Sequence, residues 1–404
     1  MTRGLFRVHP RFLWRPTMRI AERLKKINPS STLAITSKAK RLKAEGKDIV
    51  NFAAGEPDFD TPDFIKEEAI KAIQSGFTKY TPSTGIPELK KLISEKFKKD
   101  NALEYSLEQI VVSSGAKHSI FNTLLVLVNP GDEVLIPLPY WVSYPEMVNL
   151  CQGTPRFIQT QAADSFKVSA AEIKKHITPK TKVLIVNTPS NPTGCVYGRE
   201  ELEEIATVCV EHKIFVISDE IYEKLIYDNL THVSIASFNR DIYDLTITVN
   251  GLSKSHSMTG WRIGYLGAPK DIVEAISKLQ DHSTSNPTSI AQRAAVAALS
   301  APDDFSKKLC KEFEKRRDYC VGRLSKMQKL EVCVPHGAFY IFFNIAKTKL
   351  DSSTFANRLL DERHIALIPG NGFGMDEYCR MSFATSMEQL AKGMDRLEDF
   401  LKTF

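Results

Sequence analysis

The sequence lacks the features that mark several large protein classes. Its apolar runs, such as Leu124–Val128, fall far short of the roughly 18 consecutive apolar residues that a membrane-spanning helix needs. The seven cysteines are odd in number and form no C-x-x-C pair, so neither a disulfide framework nor a zinc site is expected. H-E-x-x-H, G-x-S-x-G, G-x-G-x-x-G and P-loop motifs are also absent. The usual patterns of metalloproteases, α/β-hydrolases and nucleotide-binding proteins are therefore missing.

Acidic residues are absent before Glu22, and this shapes the charge of the whole chain. Five arginines lie in that segment, and without them the formal charge of +6 falls to +1: Arg3, Arg7, Arg11, Arg15 and Arg19. The basic balance therefore does not predict a nucleic-acid partner, which requires a basic patch on a folded domain. Residues 1–17 fit either an extension upstream of a start at Met18 or an Arg-rich organellar transit peptide. The first interpretation predicts a cytoplasmic protein and the second an organellar one.

The composition, 43% apolar and 25% charged, is typical of a globular protein, and the order of its segments predicts an α/β fold. Helical stretches alternate with short apolar runs, which are Ile110–Val112, Val134–Ile136, Val183–Val186, Phe215–Ile217 and Thr246–Val249. Strands and helices in alternation indicate a mainly parallel sheet covered by helices. We expect a large domain over residues 62–300, and a smaller α+β domain formed by both chain ends, residues 18–61 and 301–404.

Two local features predict where helices begin and end. Thr61 and Pro62 suit the N-cap and first position of a helix that ends near Gly76. Residues 270–328 have a helical pattern with a break at Ala301-Pro302.

Lys254 is the first candidate for chemistry, because it follows an apolar strand and has Ser253, Ser255 and Ser257 around it. A lysine amine becomes a carbonyl nucleophile when part of it is neutral, and burial favours that state. Arg262 and the hydroxyl groups would suit a phosphate dianion. The alternative is a solvated loop lysine.

Other strand ends carry groups of the kind that bind ligands. Asn191 lies in a turn fixed by two prolines and a glycine, and Asp219 follows the strand that ends at Ile217. Ser113–Lys117 joins a strand to a helix start, where backbone N–H groups and the helix dipole attract phosphate. Trp141 could stack on a flat ring, and Arg380 in an apolar stretch needs an anionic partner. Turn, cap and core roles remain the alternatives, but the convergence of five strand ends favours a ligand site.

At these residues the sequence resembles class I aminotransferases that use pyridoxal 5'-phosphate (PLP) on fold type I, in the bacterial-type aspartate and aspartate/prephenate subgroup. The resemblance runs from about residue 20 to the C-terminus. The motifs that carry it are Ala54-Gly-Glu-Pro-Asp-Phe59, Lys79-Tyr-Thr-Pro82, Gly85-Ile-Pro-Glu-Leu89, Pro139-Tyr-Trp-Val-Ser-Tyr-Pro145, Asn191-Pro-Thr-Gly194, Ser218-Asp-Glu-Ile-Tyr222, Ser253-Lys254 and Thr259-Gly-Trp-Arg-Ile-Gly-Tyr265. The resemblance implies a mainly parallel seven-stranded sheet in the large domain and a homodimer as the active unit.

The resemblance also implies a role for each site residue. Lys254 would bind the cofactor as a Schiff base and move the proton during catalysis, and Asp219 would pair with the ring nitrogen. The other implied cofactor contacts are Tyr222 and Asn191 to the phenolic oxygen, Trp141 to the ring face, and Ala116, Lys117, Ser253 and Arg262 to the phosphate. Tyr80 would reach the phosphate in the other subunit. Arg380 and the Gly55 backbone would bind the substrate α-carboxylate, with Trp141 and Asn191 close by. No metal is implied.

The substrate follows less directly from the residues. Phe121–Val128, on the helix after the phosphate loop, carries no cation for a distal carboxylate, and residues 28–32 are the other candidates. The resemblance nevertheless implies aspartate or glutamate as amino donor and 2-oxoglutarate or oxaloacetate as acceptor, with prephenate as a further acceptor. The alternatives are an aminotransferase for aromatic or neutral amino acids, or a PLP-dependent lyase. A PLP-sensing regulator would need a fused DNA-binding domain, for which the chain has no spare length.

Overall fold

The computed structural model describes residues 20–28 and 31–404, without the side chains of residues 31–34. Residues 1–17, with their two interpretations, lie outside the described part. Elements are numbered in chain order, and the seven strands of the large sheet are β2 (Ile110–Ser113), β3 (Glu133–Pro137), β4 (Thr154–Ile158), β5 (Thr181–Asn187), β6 (Phe215–Asp219), β7 (Thr246–Gly251) and β8 (Gly264–Gly267). Their spatial order is β2-β8-β7-β6-β5-β3-β4. Only β8 runs antiparallel to its neighbours, so the prediction of a mainly parallel seven-stranded sheet is confirmed.

Helices cover both faces of this sheet. Its strands carry apolar side chains on both faces, and the helices bury these side chains from water. The helices between residues 63 and 300 are α2 (Asp63–Gln74), α3 (Pro87–Asn101), α4 (Ala116–Leu127), α5 (Ser143–Leu150), α6 (Ala170–His176), α7 (Arg199–His212), α8 (Arg240–Tyr243), α9 (Lys270–Asp281) and α10 (Ser289–Ser300). The burial of β2 and β7 along their whole length agrees with this layered arrangement.

Both ends of the chain contribute to one further hydrophobic core. Its elements are helices α1 (Ser31–Ala44), α11 (Asp304–Leu324), α12 (Ser352–Arg363) and α13 (Met387–Leu401), and strands β1 (Val50–Asn51), β9 (Glu331–Val332), β10 (Tyr340–Asn344), β11 (Ile365–Ala366), β12 (Ile368–Pro369) and β13 (Tyr378–Ser382). Strands β12, β13, β10 and β9 form an antiparallel sheet, and β1 pairs with β11 in parallel. Phe52 packs into this core together with Phe355 and Phe400, which lie more than 300 residues later.

Two local predictions are wrong by small amounts. Pro62, not Thr61, is the N-cap residue of α2, because the Thr61 hydroxyl donates to the Ser257 carbonyl (2.7 Å) and accepts from Trp261 Nε1 (3.0 Å). The helical region 270–328 also has a second break, between α9 and α10, at Asn286-Pro287. A proline disfavours helical backbone in the residue before it, which accounts for the break.

The sheet topology places the candidate residues at one edge. Parallel strands present their carboxyl ends on the same side, and Asn187 at the end of β5 is directly opposite Asp219 at the end of β6. In the described part of the chain, no helix has the length and apolar character needed to cross a membrane.

Candidate active site

A cavity of about 500 Å³ opens at the carboxyl edge of the large sheet. The predicted site residues that line it are Gly55, Ala116, Lys117, Trp141, Asn191, Asp219, Tyr222, Ser253, Lys254, Arg262 and Arg380. Tyr80 is the exception, because it lies outside the cavity with 90% of its surface exposed. Some of these residues come from six loops and strand ends of the large sheet. The others come from the second core, which both ends of the chain form, so distant motifs meet in one site.

Lys254 projects from the turn that follows β7 into this cavity. Its Nζ donates a 2.5 Å hydrogen bond to the Gly55 carbonyl, which links the large sheet to the N-terminal region. Burial lowers the pKa of Lys254 to about 8, against the opposing effect of Glu56 and with the further help of Arg380 and Arg262. A measurable fraction of the amine is therefore neutral near neutral pH, as a nucleophilic lysine requires.

Asp219 faces the same cavity from the end of β6. Its Oδ2 accepts a 2.6 Å hydrogen bond from the Tyr144 hydroxyl, and its Oδ1 accepts from the Ile221 N–H at 3.3 Å. Burial raises the pKa of Asp219 to about 6, whereas these two hydrogen bonds oppose the rise. The carboxylate is suited to pair with a cationic group of a ligand in a region of low dielectric.

An anion-binding site, called the anion seat below, lies at the N-terminus of α4. Gly115 is its N-cap residue with φ of 90°, and a Cβ at this position would collide with the Arg262 guanidinium. Arg262 donates to the carbonyls of Thr259 (2.8 Å) and Ser114 (3.3 Å), and it forms no ion pair within the described ranges. Free backbone N–H groups, a helix dipole and an uncompensated guanidinium together favour a phosphate group.

Arg380 crosses the cavity from β13 and is 3% exposed. It donates to Asn191 Oδ1 (3.0 Å) and to the Ala53 carbonyl (3.1 Å), and its guanidinium stacks on Tyr340, 4.3 Å from the ring centroid. Its Nε has no hydrogen-bond partner among the described residues, and no carboxylate forms an ion pair with it there. A buried arginine without an anion is energetically costly, which points to a carboxylate ligand.

Lys117 and Trp141 form another wall of the cavity. The Lys117 ammonium lies 4.8 Å from the centroid of the Trp141 ring, and it has no carboxylate partner in the described part of the chain. Because α4 begins at Ala116, Lys117 belongs to its first turn. The helix after the phosphate loop therefore does carry a cation that reaches the cavity. Asn28, one of the other candidates for the distal carboxylate, donates to the Glu146 carboxylate through its backbone and side-chain nitrogens, both at 3.2 Å.

Sequence reasoning missed three side chains of the site. Tyr340 bonds to the Tyr222 hydroxyl at 2.9 Å, Tyr144 bonds to Asp219, and Glu56 accepts from Thr259 Oγ1 at 2.8 Å. Both Tyr144 and Glu56 lie within motifs noted in the sequence: Glu56 is next to Gly55, and Tyr144 is three residues after Trp141. Tyr340 stands among apolar residues on β10, where a core role was the natural interpretation.

Comparisons with known proteins agree with this geometry. The family model for aminotransferase class I and II matches residues 47–397. An aspartate aminotransferase of Bacillus sp. (strain YM-2) is 48% identical over 95% of this chain and 99% of its own length. A probable aspartate/prephenate aminotransferase of Aquifex aeolicus is 45% identical over 95% of this chain and 98% of its own length.

Solved structures have the same fold. The aspartate aminotransferase of Rhizobium meliloti superposes with a TM-score of 0.92 at 39% identity, covering 95% of this chain and 99% of that one. The aspartate aminotransferase of Thermus thermophilus, solved with maleate, has a TM-score of 0.91 at 40% identity and covers 94% and 99% of the two chains. The α/β fold is thus that of the aspartate aminotransferases, as expected for fold type I. The chain belongs to the aminotransferase class I and II family.

Proposed function

We propose that this protein is a PLP-dependent transaminase that moves the amino group of aspartate or glutamate to 2-oxoglutarate or oxaloacetate. The observation that carries the proposal is the single cavity that joins Lys254, Asp219 and Arg380 with an anion seat. Transamination by a ping-pong route needs these functions together: an amine that bonds to a carbonyl, a carboxylate for a ring cation and a cation for the substrate carboxylate.

The donor set fits PLP. The N-terminus of α4, Ser253 and Arg262 would hold the phosphate, with the Ala116 and Lys117 backbone N–H groups aimed at its oxygens. Trp141 would stack on the ring face, and Asp219 would accept a hydrogen bond from the protonated ring nitrogen. Tyr222 and Asn191 would hydrogen-bond the phenolic oxygen from positions where they already contact Tyr340 and Arg380.

Bound PLP would supply a carbonyl carbon for the amino group and a ring that withdraws electron density as the substrate Cα–H bond breaks. The chain supplies position and proton transfer. Arg380 orients the substrate through its α-carboxylate, with the Gly55 backbone beside it. Lys254 Nζ would act as the base that removes the Cα proton and as the acid that gives it back, a role helped by the lowered pKa of Lys254.

A dicarboxylic substrate is supported by a third cation of the cavity that lacks a carboxylate partner among the described residues, in addition to Arg262 and Arg380. We propose that the Lys117 ammonium binds the distal carboxylate, since it lines the cavity without an acidic partner in the described ranges, while its backbone serves the phosphate. The Thermus thermophilus relative was solved with maleate, itself a dicarboxylate. Prephenate, which also has two carboxylates, is proposed as a further acceptor because of the name of the Aquifex aeolicus relative.

We propose a homodimer as the active unit. Tyr80, with 90% of its surface exposed, would contact the cofactor phosphate of the other subunit. Helix α2 also exposes Phe64 (40%), Ile70 (51%) and Ile73 (54%). Exposed apolar side chains grouped on one helix are typical of a protein–protein interface. We also propose domain boundaries near residues 62 and 300, with the smaller domain closing over the substrate. The proposed location is cytoplasmic, and an organellar location is the alternative.

A donor and acceptor panel with the purified, PLP-loaded protein tests the proposal. We expect the highest kcat/KM with aspartate and glutamate as donors, oxo-acid release equal to amino-acid formation, and measurable turnover with prephenate. Ammonia release without formation of a second amino acid would favour a lyase. A preference for phenylalanine or alanine over aspartate would favour the aromatic or neutral alternatives.

A further inference from the structure

A second, fully buried carboxylate lies directly behind Asp219. Glu220 is 0% exposed and receives four hydrogen bonds. The donors are Ser218 Oγ (2.7 Å), Ser234 Oγ (2.7 Å), Asn101 Nδ2 (3.0 Å) and His232 Nε2 (2.8 Å). An ionised carboxylate only accepts hydrogen bonds, and this set of donors fits that form.

His232 is the charged partner of Glu220. Its side chain is 7% exposed, and its Nδ1 has no partner among the described residues. Burial lowers the pKa of His232, but the Glu220 carboxylate and its hydrogen bond outweigh that effect, so the pKa is raised. The pair also faces Glu223 and Lys96, which contact each other, and Asn101 links Glu223 to Glu220. Lys96 also lies 4.0 Å from Asp100, which pairs with Lys224 at 2.9 Å. With these two pairs satisfied, a protonated His232 is the cation that faces Glu220 directly.

The same residues could be mistaken for a metal site. Ligand atoms of Glu220, Glu223 and His232 lie within 4.8 Å of one another. However, the Lys96 ammonium already contacts Glu223, and the Asn101 amide donates to both carboxylates. A divalent cation would have to displace these groups, so the geometry favours an ion pair over a metal site.

We propose that Glu220 and His232 are positioning residues, which hold Asp219 in place and set where the proton lies between Asp219 and the cofactor ring nitrogen. The inference rests on the proposed use of PLP. Asp219 and Glu220 are consecutive, and one lines the cavity while the other enters the buried network. The Glu220 N–H also bonds to the Val249 carbonyl on β7 at 2.9 Å. Anchoring Glu220 therefore fixes the peptide unit that carries the Asp219 carboxylate.

The sign of the electrostatic effect follows from the charges around Asp219. Burial is the largest cause of its raised pKa, the Tyr144 and Ile221 hydrogen bonds lower it, Glu220 raises it, and Lys254 lowers it. A negative Glu220 thus favours a proton on Asp219, away from the more distant ring nitrogen. Because protonated His232 pairs with Glu220, it would offset this effect and favour the proton on the ring. The pair acts on the reaction only through Asp219.

The experiment uses holoenzyme loaded with PLP labelled with nitrogen-15 at the ring nitrogen, whose chemical shift reports ring protonation. His232→Gln keeps a donor to Glu220 but removes the positive charge, and should move the signal toward the unprotonated form. A change of about one pH unit in the proton affinity of Asp219 alters the ratio of the two proton positions about tenfold. Adding Glu220→Gln to this variant should return the signal toward that of the wild type.

The matched controls are Asp228→Asn and His336→Gln, in a carboxylate–histidine pair of 2.7 Å that lies outside the cavity lining. Both should leave the nitrogen-15 signal unchanged. A signal in His232→Gln equal to that of the wild type would overturn the inference. So would a double variant shifted further than the single one, which is the result of a purely structural role. Failure of the wild type to bind PLP would instead overturn the proposed function.

Discussion

The Tyr144 hydroxyl lies 2.6 Å from Oδ2 of Asp219, and both side chains are buried in the wall of the cavity. Burial alone would favour a neutral Asp219, whose pKa is already raised to about 6. The Tyr144 hydrogen bond stabilises the ionised form and so works against burial. Because the ring nitrogen of PLP needs an ionised partner, Tyr144 is expected to affect cofactor binding without touching the cofactor itself.

Replacing Tyr144 with Phe should weaken PLP binding by about tenfold or more, since a hydrogen bond to a charged group contributes roughly 1.5–3 kcal/mol. The pKa of Asp219 should also rise, so cofactor binding should begin to fail at a higher pH on the acid side. Fluorescence titration with PLP at several pH values measures both effects. Tyr319→Phe, which removes a hydroxyl from a partly exposed bond to Arg323, is the control. An unchanged affinity and pH profile in Tyr144→Phe would contradict the role.

Asp219 should destabilise the cofactor-free protein above pH 6. Its pKa is raised from 3.8 to about 6 in the folded state, so its contribution to stability is fully present below about pH 4 and is lost as the pH rises through 6. Asp219→Asn should therefore be more stable than the cofactor-free wild type by roughly 2–3 kcal/mol near pH 7.5. Urea unfolding between about pH 4 and pH 8 checks this, and a stability difference independent of pH would refute it.

Arg380→Lys should raise KM for aspartate strongly. Lysine keeps the charge but cannot form the two parallel hydrogen bonds of a guanidinium. Loss of one of these charge-assisted hydrogen bonds should cost about 1.5–3 kcal/mol of binding. Steady-state kinetics provide the measurement, with Arg363→Lys in a partly exposed ion pair as the control. An unchanged KM for aspartate would remove Arg380 from the substrate site.

Lys117→Gln should lower kcat/KM for aspartate far more than for alanine, because only aspartate has a distal carboxylate. A loss of about 10- to 100-fold in the ratio of the two values is expected for one charge-assisted contact. Lys347→Gln, on the surface beside Glu331, controls for the loss of a positive charge. An equal loss for both amino acids would place Lys117 at the phosphate alone.

Much of the site was predictable because its residues follow strands that contain short apolar runs, such as β5 and β6. Buried parallel strands such as β5 and β6 are visible as apolar runs, and their carboxyl ends then share one edge. Strands β4 and β8 are harder to recognise in the sequence because neither contains a clear apolar run. The first contains Pro155 and is only partly buried at the edge of the sheet, and the second begins and ends with glycine.

The remaining residues depend on contacts that a linear pattern does not contain. Tyr340 enters the site only because the second core packs β10 against the carboxyl edge of the large sheet. Lys117 reaches the cavity because α4 begins one residue before it, a boundary set by the positive φ of Gly115. Thr61 does not cap α2 because its hydroxyl bonds to Ser257 and Trp261, about 200 positions away. Tertiary contacts decided the cases of Tyr340 and Thr61, and the exact helix boundary decided that of Lys117.

Transamination is tested by mixing PLP-loaded enzyme with aspartate and no acceptor. We expect the cofactor absorbance to change to that of the aminated cofactor, with one oxaloacetate released per active site and no ammonia. Lys254→Ala should show neither multiple turnover nor this conversion at the wild-type rate, whereas Lys174→Ala, in an exposed ion pair, should behave as the wild type. Ammonia release with the cofactor absorbance unchanged, or sustained turnover in Lys254→Ala, would contradict the account.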